Sequence, residues 1–90
     1  MQKVEVELKN ETGMHARPAS IFVKEATKYK SDIKVLKNGQ EYNAKSIMII
    51  LSMGAGKGEK LIIIAEGEDE KEAVEALKII VENNFQFGTL

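Results

Sequence analysis

The spacing of apolar residues along this chain switches between two and roughly 3.6, so the chain must build strands and cover them with helices. Over residues 3–8, Val4, Val6 and Leu8 fall on one side and Lys3, Glu5 and Glu7 on the other. That is a strand with one solvated face. Asn10 to Gly13 read as a loop. From Ala16 the period lengthens: Ala19, Phe22, Val23 and Ala26 form a stripe opposite Lys24, Glu25, Thr27 and Lys28, which predicts a helix over 16–28. Ile33 to Lys37 is a second strand. Asn38-Gly39 then signals a hairpin, because both residues tolerate positive φ, and Glu41 to Asn43 is a short third strand. Ser46 to Met53 reads as a short helix capped by Ser46, although its isoleucines make a strand a real competitor. Gly54, Gly56 and Gly58 form a flexible loop, and Leu61 to Ala65 is the fourth strand. Asp69, with Glu72 three residues on, makes a cap-like start for a helix over 70–83 lined by Ala73, Val74, Leu77, Ile80 and Val81. The tail Asn83 to Leu90 carries Phe85 and Phe87 and no readable period.

The order β-α-β-β-α-β-α fits the α+β class. The expected architecture is an open-faced β-sandwich: a four-stranded, mostly antiparallel sheet covered on one face by three helices. Ninety residues hold one such domain, 1–90, with no repeat or linker. Thirteen Lys and Arg against fourteen Asp and Glu argue against a nucleic-acid binder, which usually carries a basic excess. With no cysteine and one histidine, disulfides, thiol catalysis and multi-histidine metal sites are excluded. No apolar run, Ile47 to Leu51 included, comes near the roughly 20 residues that span a bilayer. No signal-peptide pattern opens the chain, so a cytoplasmic protein without membrane insertion is expected.

The one histidine sits in Gly13-Met14-His15-Ala16-Arg17-Pro18, between a loop glycine and the first helix. Pro18 suits a helix's first turn. The N–H groups of Ala16 and Arg17 are then free donors at the positive end of the helix dipole, which makes an anion site. Arg17 adds a guanidinium with bidentate geometry for phosphate. A nucleophilic imidazole thus lies beside a phosphate cradle. The plainer alternative is a histidine that merely caps the helix, with Arg17 a solvated charge.

The run Gly13-Met14-His15-Ala16-Arg17-Pro18-Ala19-Ser20 resembles the active-site motif of the histidine-containing phosphocarrier protein (HPr) of the bacterial sugar phosphotransferase system. A second motif of that family is matched by Asn43-Ala44-Lys45-Ser46-Ile47-Met48 with Leu51-Ser52-Met53-Gly54, and the resemblance covers essentially the whole chain. It implies a general phosphocarrier, not an enzyme, and one that needs no metal or organic cofactor. His15 would accept a phosphoryl group on Nδ1 from phospho-enzyme I and pass it to the IIA domains of sugar permeases. Arg17 and the N–H groups of Ala16 and Arg17 would hold the phosphoryl oxygens. The alternative within the family is a regulatory or nitrogen-branch paralogue acting mainly through protein binding. The regulatory relatives that do not transfer lack the histidine.

Ser46 has two compatible readings, a helix cap and a regulatory phosphosite. In the family's Gram-positive members the matching serine is the target of an HPr kinase/phosphorylase, and the phosphorylated form binds a catabolite-control repressor in carbon catabolite regulation. The apolar run from Ile47 is either a buried helix or an exposed patch in which Met14, Ile47, Met48 and Leu51 dock partners. Many relatives carry Gly where this chain has Ile49. Lys24, Lys28, Lys45 and Lys57 are either a basic rim for acidic partners or a solvated face. Gly54-Ala55-Gly56-Lys57-Gly58 fails the P-loop pattern and follows a helix where a phosphate loop should follow a strand. A monomer is expected.

Overall fold

A computed structural model of the chain describes residues 1–85. The chain runs through β1 (Gln2–Glu7), α1 (Ala16–Ala26), β2 (Asp32–Lys37), β3 (Gln40–Asn43), α2 (Ile47–Ser52), β4 (Lys60–Glu66) and α3 (Glu70–Glu82). The strands form one sheet in the order β1-β4-β2-β3, and each neighbouring pair is antiparallel. The expected architecture holds, with the sheet wholly antiparallel.

The register follows from the alternation. Val4 lies opposite Ile63 and Val6 opposite Leu61, while Ile33 faces Ala65 and Val35 faces Ile63. These side chains share one face with period two. Lys3, Glu5 and Lys34 take the other face, together with half-buried Leu36, Ile62 and Ile64. The β2–β3 hairpin turns on Asn38 (φ 51°) and Gly39 (φ 82°), the paired positive φ that a type I′ turn requires.

The core forms where the inner sheet face meets the helices. α3 packs on β1 and β4, and α1 packs against α3 and α2. Phe22, Ile50, Ile63, Leu77, Ile80 and Val81 are fully enclosed, each burial stabilising by about 1.5–3 kcal/mol. α1 ends two residues before the sequence expectation. The Thr27 hydroxyl donates to the Lys24 carbonyl at 2.8 Å, a local bond that competes with a further helical turn. Glu25, expected on the solvated face, is buried. Its carboxylate accepts from the Tyr29 hydroxyl at 3.0 Å and pairs with Lys28 at 2.9 Å. Burial, and then the Glu25 carboxylate, push the Tyr29 hydroxyl up to about 12. The tail is described only as far as Phe85, so Phe87 and Leu90 lie outside the described residues.

Asp69 departs most from its sequence reading. It stands before α3 but makes no side-chain cap bond. Its carboxylate reaches back to the α1–β2 loop and accepts from the backbone N–H of Lys30 and Ser31, each at 2.9 Å, and from the Ser31 hydroxyl at 2.5 Å. The Ser31 hydroxyl first, then these N–H groups, hold the Asp69 carboxyl below its usual value. A depressed folded value stabilises the fold above the unfolded pKa of about 3.9, and the gain is lost as pH falls through the folded value. Asp69→Ala should therefore lower the urea midpoint at pH 7, and the gap to the parent should narrow as pH falls through the folded value. A gap that persists in acid would mean that the carboxylate's charge contributes nothing.

Candidate functional site

His15 is the residue before α1. Its backbone is extended (φ −80°, ψ −176°) and its side chain makes no cap hydrogen bond. The helix begins through its backbone alone, Ala19 N–H donating to the His15 carbonyl at 2.8 Å. The imidazole is exposed and makes no side-chain hydrogen bond among the described residues; Ala16 and Arg17 are also exposed, and Pro18 is half-buried. Pro18 is the third helical residue and has no N–H. Among the described residues, the first turn therefore leaves two free donors, the N–H groups of Ala16 and Arg17, at the helix end. No acidic residue lies in that turn, so its positive dipole end is uncompensated.

The loop carrying His15 is clamped from below. Gly58 N–H donates to the Leu8 carbonyl at 2.7 Å, and Met14 N–H to the Ala55 carbonyl at 2.9 Å. Gly13 lies so near this second loop that a Cβ would sit 2.6 Å from the Ala55 carbonyl oxygen, and its φ is +60°. The second loop is itself held by Glu59. Its carboxylate accepts from Gly56 N–H at 2.5 Å and lies 3.5 Å from Lys37, which also donates to the Met53 carbonyl at 2.9 Å. Above, Glu11 and Lys57 pair across the two loops at 2.5 Å, and the Lys57 ammonium holds the Glu11 carboxyl below its usual value.

Two clefts flank His15. One, of about 730 Å³, is lined by Asn10, Thr12, His15, Arg17, Asn84 and Phe85 among others. The other, of about 470 Å³, runs between Thr12, Met14, His15, Leu51 and the glycine loop. Asn10, Thr12, Asn84 and Phe85 escape a reading of the sequence. The 10–13 turn was visible, but nothing local shows that the end of α3 returns to this corner.

The docking-patch expectation is half corrected. Met14 is only 3% exposed and belongs to the core. Its side chain lines the floor of the second cleft and is not a surface group. Ile47 is half-buried against the core, and Ile50 is fully enclosed. A fully buried α2 is also ruled out, because Met48 is 78% exposed and Ile49 and Leu51 are each 39% exposed. Ile49 thus extends the apolar surface. The Ser46 hydroxyl oxygen accepts from Ile49 N–H at 3.3 Å, so Ser46 caps α2 as its position led us to expect, and the competing strand is excluded. Three of the four rim lysines are engaged locally: Lys28 with Glu25, Lys57 with Glu11 and Lys45 with the Tyr29 carbonyl at 2.6 Å. Among the described residues there is no cluster that could hold a metal ion, and no helix is long and apolar enough to cross a membrane.

The family profile for the PTS HPr component phosphorylation site matches residues 2–83. The chain belongs to the HPr family. HPr proteins are phosphocarriers and not enzymes. The chain is 46% identical over 82 residues to the HPr-like protein Crh of Halalkalibacterium halodurans, covering 91% of this chain and 98% of that one. It is 44% identical over 85 residues to the phosphocarrier protein HPr of Mycoplasma pneumoniae, covering 93% and 97%. The crystal structure of HPr from Thermoanaerobacter tengcongensis superposes with a TM-score of 0.92 at 48% identity, covering 94% of this chain and 96% of that one. A dimer of that HPr also matches, with a TM-score of 0.76.

Proposed function

We propose that this chain is the general phosphocarrier of a phosphoenolpyruvate-dependent sugar phosphotransferase system in the cytoplasm. The carrying observation is the His15 imidazole, uncommitted to capping and set beside the free N–H groups and guanidinium of the α1 start. Nδ1 attacks phosphorus as the bond to the donor histidine of enzyme I breaks. The new P–N bond is later broken by attack from the acceptor on a IIA domain. The chain supplies position and positive charge, and the partner supplies the second nucleophile. The Ala16 and Arg17 N–H groups with the Arg17 guanidinium receive the phosphoryl oxygens, and Pro18 fixes the helix start. The whole chain works as one phosphocarrier domain. The test is incubation with enzyme I and phosphoenolpyruvate, followed by native mass measurement. We expect one acid-labile phosphoryl group on a single chain. A monomer suits the sheet edges, since β3 is four residues long and β1 carries Lys3, Glu5 and Glu7, both of which discourage strand pairing.

Met48, Ile49 and Leu51 form the surface on which enzyme I and IIA domains dock. Met suits a face that repacks against several partners. Met48→Asp should weaken enzyme I binding at least tenfold, since charging a hydrophobic contact costs on the order of 1.4 kcal/mol or more. The melting temperature should stay nearly unchanged, because the side chain is exposed. A large fall in melting temperature would place Met48 in the core and sink the patch.

The likeness to Crh favours a second role, regulation through Ser46. Phosphate on its hydroxyl adds about −1.5 to −2 charges beside the docking surface. An acidic face of enzyme I would then be repelled, and a catabolite-control repressor with a basic face recruited. Treatment with an HPr kinase/phosphorylase and ATP should add one acid-stable phosphoryl group and slow transfer to His15. A phosphoryl group retained by Ser46→Ala would refute the assignment. A regulatory or nitrogen-branch paralogue acting without transfer would leave His15 unmodified in the enzyme I experiment.

A further inference from the structure

Lys37 stands where an apolar side chain belongs. The alternation that turns Ile33 and Val35 inward puts it on the same face of β2, and its side chain is only 15% exposed. A cation so placed needs partners, and it has two. Its Nζ donates to the Met53 carbonyl at 2.9 Å and lies 3.5 Å from the Glu59 carboxylate. Met53 is the residue that ends α2, and the last turn of α2 carries no basic residue of its own. The sheet thus supplies the donor that a terminal helix carbonyl requires. Glu59 carries the contact onward. Its carboxylate accepts from Gly56 N–H at 2.5 Å, and the neighbouring Ala55 carbonyl accepts from Met14 N–H at 2.9 Å. A line of polar contacts therefore runs from the end of α2, through Lys37, Glu59 and the glycine loop, to the residue before His15.

The two ends of this line have different tasks. α2 bears the exposed Met48 and Leu51 on which the partner docks, and the loop bears the imidazole. In-line transfer needs the partner's reacting group and His15 within about 3–3.5 Å of attack geometry, so the docking face and the imidazole must stay in register. We propose that Lys37 is a positioning residue for transfer, fixing the docking helix to the loop that seats His15, with Glu59 as the link between them. The inference rests on the reading of His15 as the phosphoryl acceptor and of α2 as the docking surface. Neither Lys37 nor Glu59 lines the clefts beside His15. Their effect therefore falls on transfer from a docked protein and not on the reactivity of the imidazole itself.

The experiment compares two phosphoryl donors, with phosphohistidine followed by intact mass well below the melting temperature of each variant. Phospho-enzyme I must dock; phosphoramidate is small and reaches the imidazole without docking. Lys37→Met keeps the aliphatic stem and removes the ammonium. Its maximal rate from phospho-enzyme I should fall about tenfold, as a small misplacement of reacting groups allows. Its KM should stay within about twofold, because the docking side chains are untouched. Its rate from phosphoramidate should match the parent's. Lys37→Arg keeps a cationic donor for both partners and should restore transfer. Glu59→Gln keeps an oxygen for Gly56 N–H and loses the charge pair, so it should slow transfer less. Added to Lys37→Met it should change little further, since the two act through one contact. A parent-like maximal rate in Lys37→Met overturns the inference while leaving His15 as the acceptor. So does an equal slowing with phosphoramidate, which would mean that the lysine serves the imidazole or the fold alone, and so does a loss that Lys37→Arg fails to restore. If the parent chain takes no acid-labile group from either donor, the reading of His15 falls, and the inference with it.

Discussion

His15→Ala is expected to take no phosphoryl group from enzyme I while unfolding at the same urea concentration as the parent. The two halves of this result test different things. Loss of phosphorylation follows from chemistry: the chain has one histidine and no cysteine, so no other imidazole or thiol can accept. Unchanged stability follows from geometry. A histidine that capped α1 with its ring would cost about 1 kcal/mol when truncated. This ring is exposed and makes no cap bond, so truncation should fall within about 0.5 kcal/mol. The backbone that starts α1 survives, because alanine adopts φ −80° freely and the His15 carbonyl still accepts from Ala19. Phosphohistidine by intact mass and the urea midpoint decide the matter. A destabilised variant would mean that the ring serves the fold. A variant that still gains an acid-labile group would place the acceptor elsewhere.

What the sequence disclosed and what it hid divide by the range of the contact. Strand and helix periods, the Asn38-Gly39 turn and the Ser46 cap are set within a few residues, and all were legible. So was the placing of His15 before a helix, since Pro18 and the stripe from Ala19 are local. The hidden features are partnerships across the chain. Asp69 carries the signature of a cap, yet its carboxylate serves residues 38 and 39 positions earlier. Met14 adjoins the exposed His15 and is nonetheless core, because its N–H is fixed to Ala55 and the glycine loop closes over it. Glu25 is the exception in range: Tyr29, which covers it, is only four residues on, but α1 ends between them, so the helical wheel does not place the ring. In the site, the helix start behind His15 was visible because one helix end makes it. Asn84 and Phe85, which line the cleft beside His15, were not, because nothing local shows that the end of α3 returns to this corner.

Gly13→Ala is expected to be among the most damaging single-methyl changes in this chain, and Gly39→Ala shows why by contrast. Both glycines have positive φ, +60° and +82°, so alanine at either position meets left-handed strain of about 1–2 kcal/mol. At Gly39 nothing lies within 4 Å of an added Cβ, and the strain is the whole cost. At Gly13 the Cβ would meet the Ala55 carbonyl oxygen and the Gly56 Cα, both at 2.6 Å. These are backbone atoms, and they cannot swing away as a side-chain tip can. Ala55 and Gly56 are also held in place, by Met14 N–H on the Ala55 carbonyl and by Glu59 on Gly56 N–H. The two loops must separate, which adds about 1–3 kcal/mol and stretches the bond that seats the residue next to His15. A displacement of about 1 Å at a reacting group can cost roughly a hundredfold in rate. Gly13→Ala should therefore lose about 3 kcal/mol in urea unfolding and slow His15 phosphorylation by about two orders of magnitude. Gly39→Ala should lose about half as much stability and transfer at the parent's rate. Equal losses of stability in the two variants would show that the loops part without resistance. In that case the glycine loop is not what seats His15.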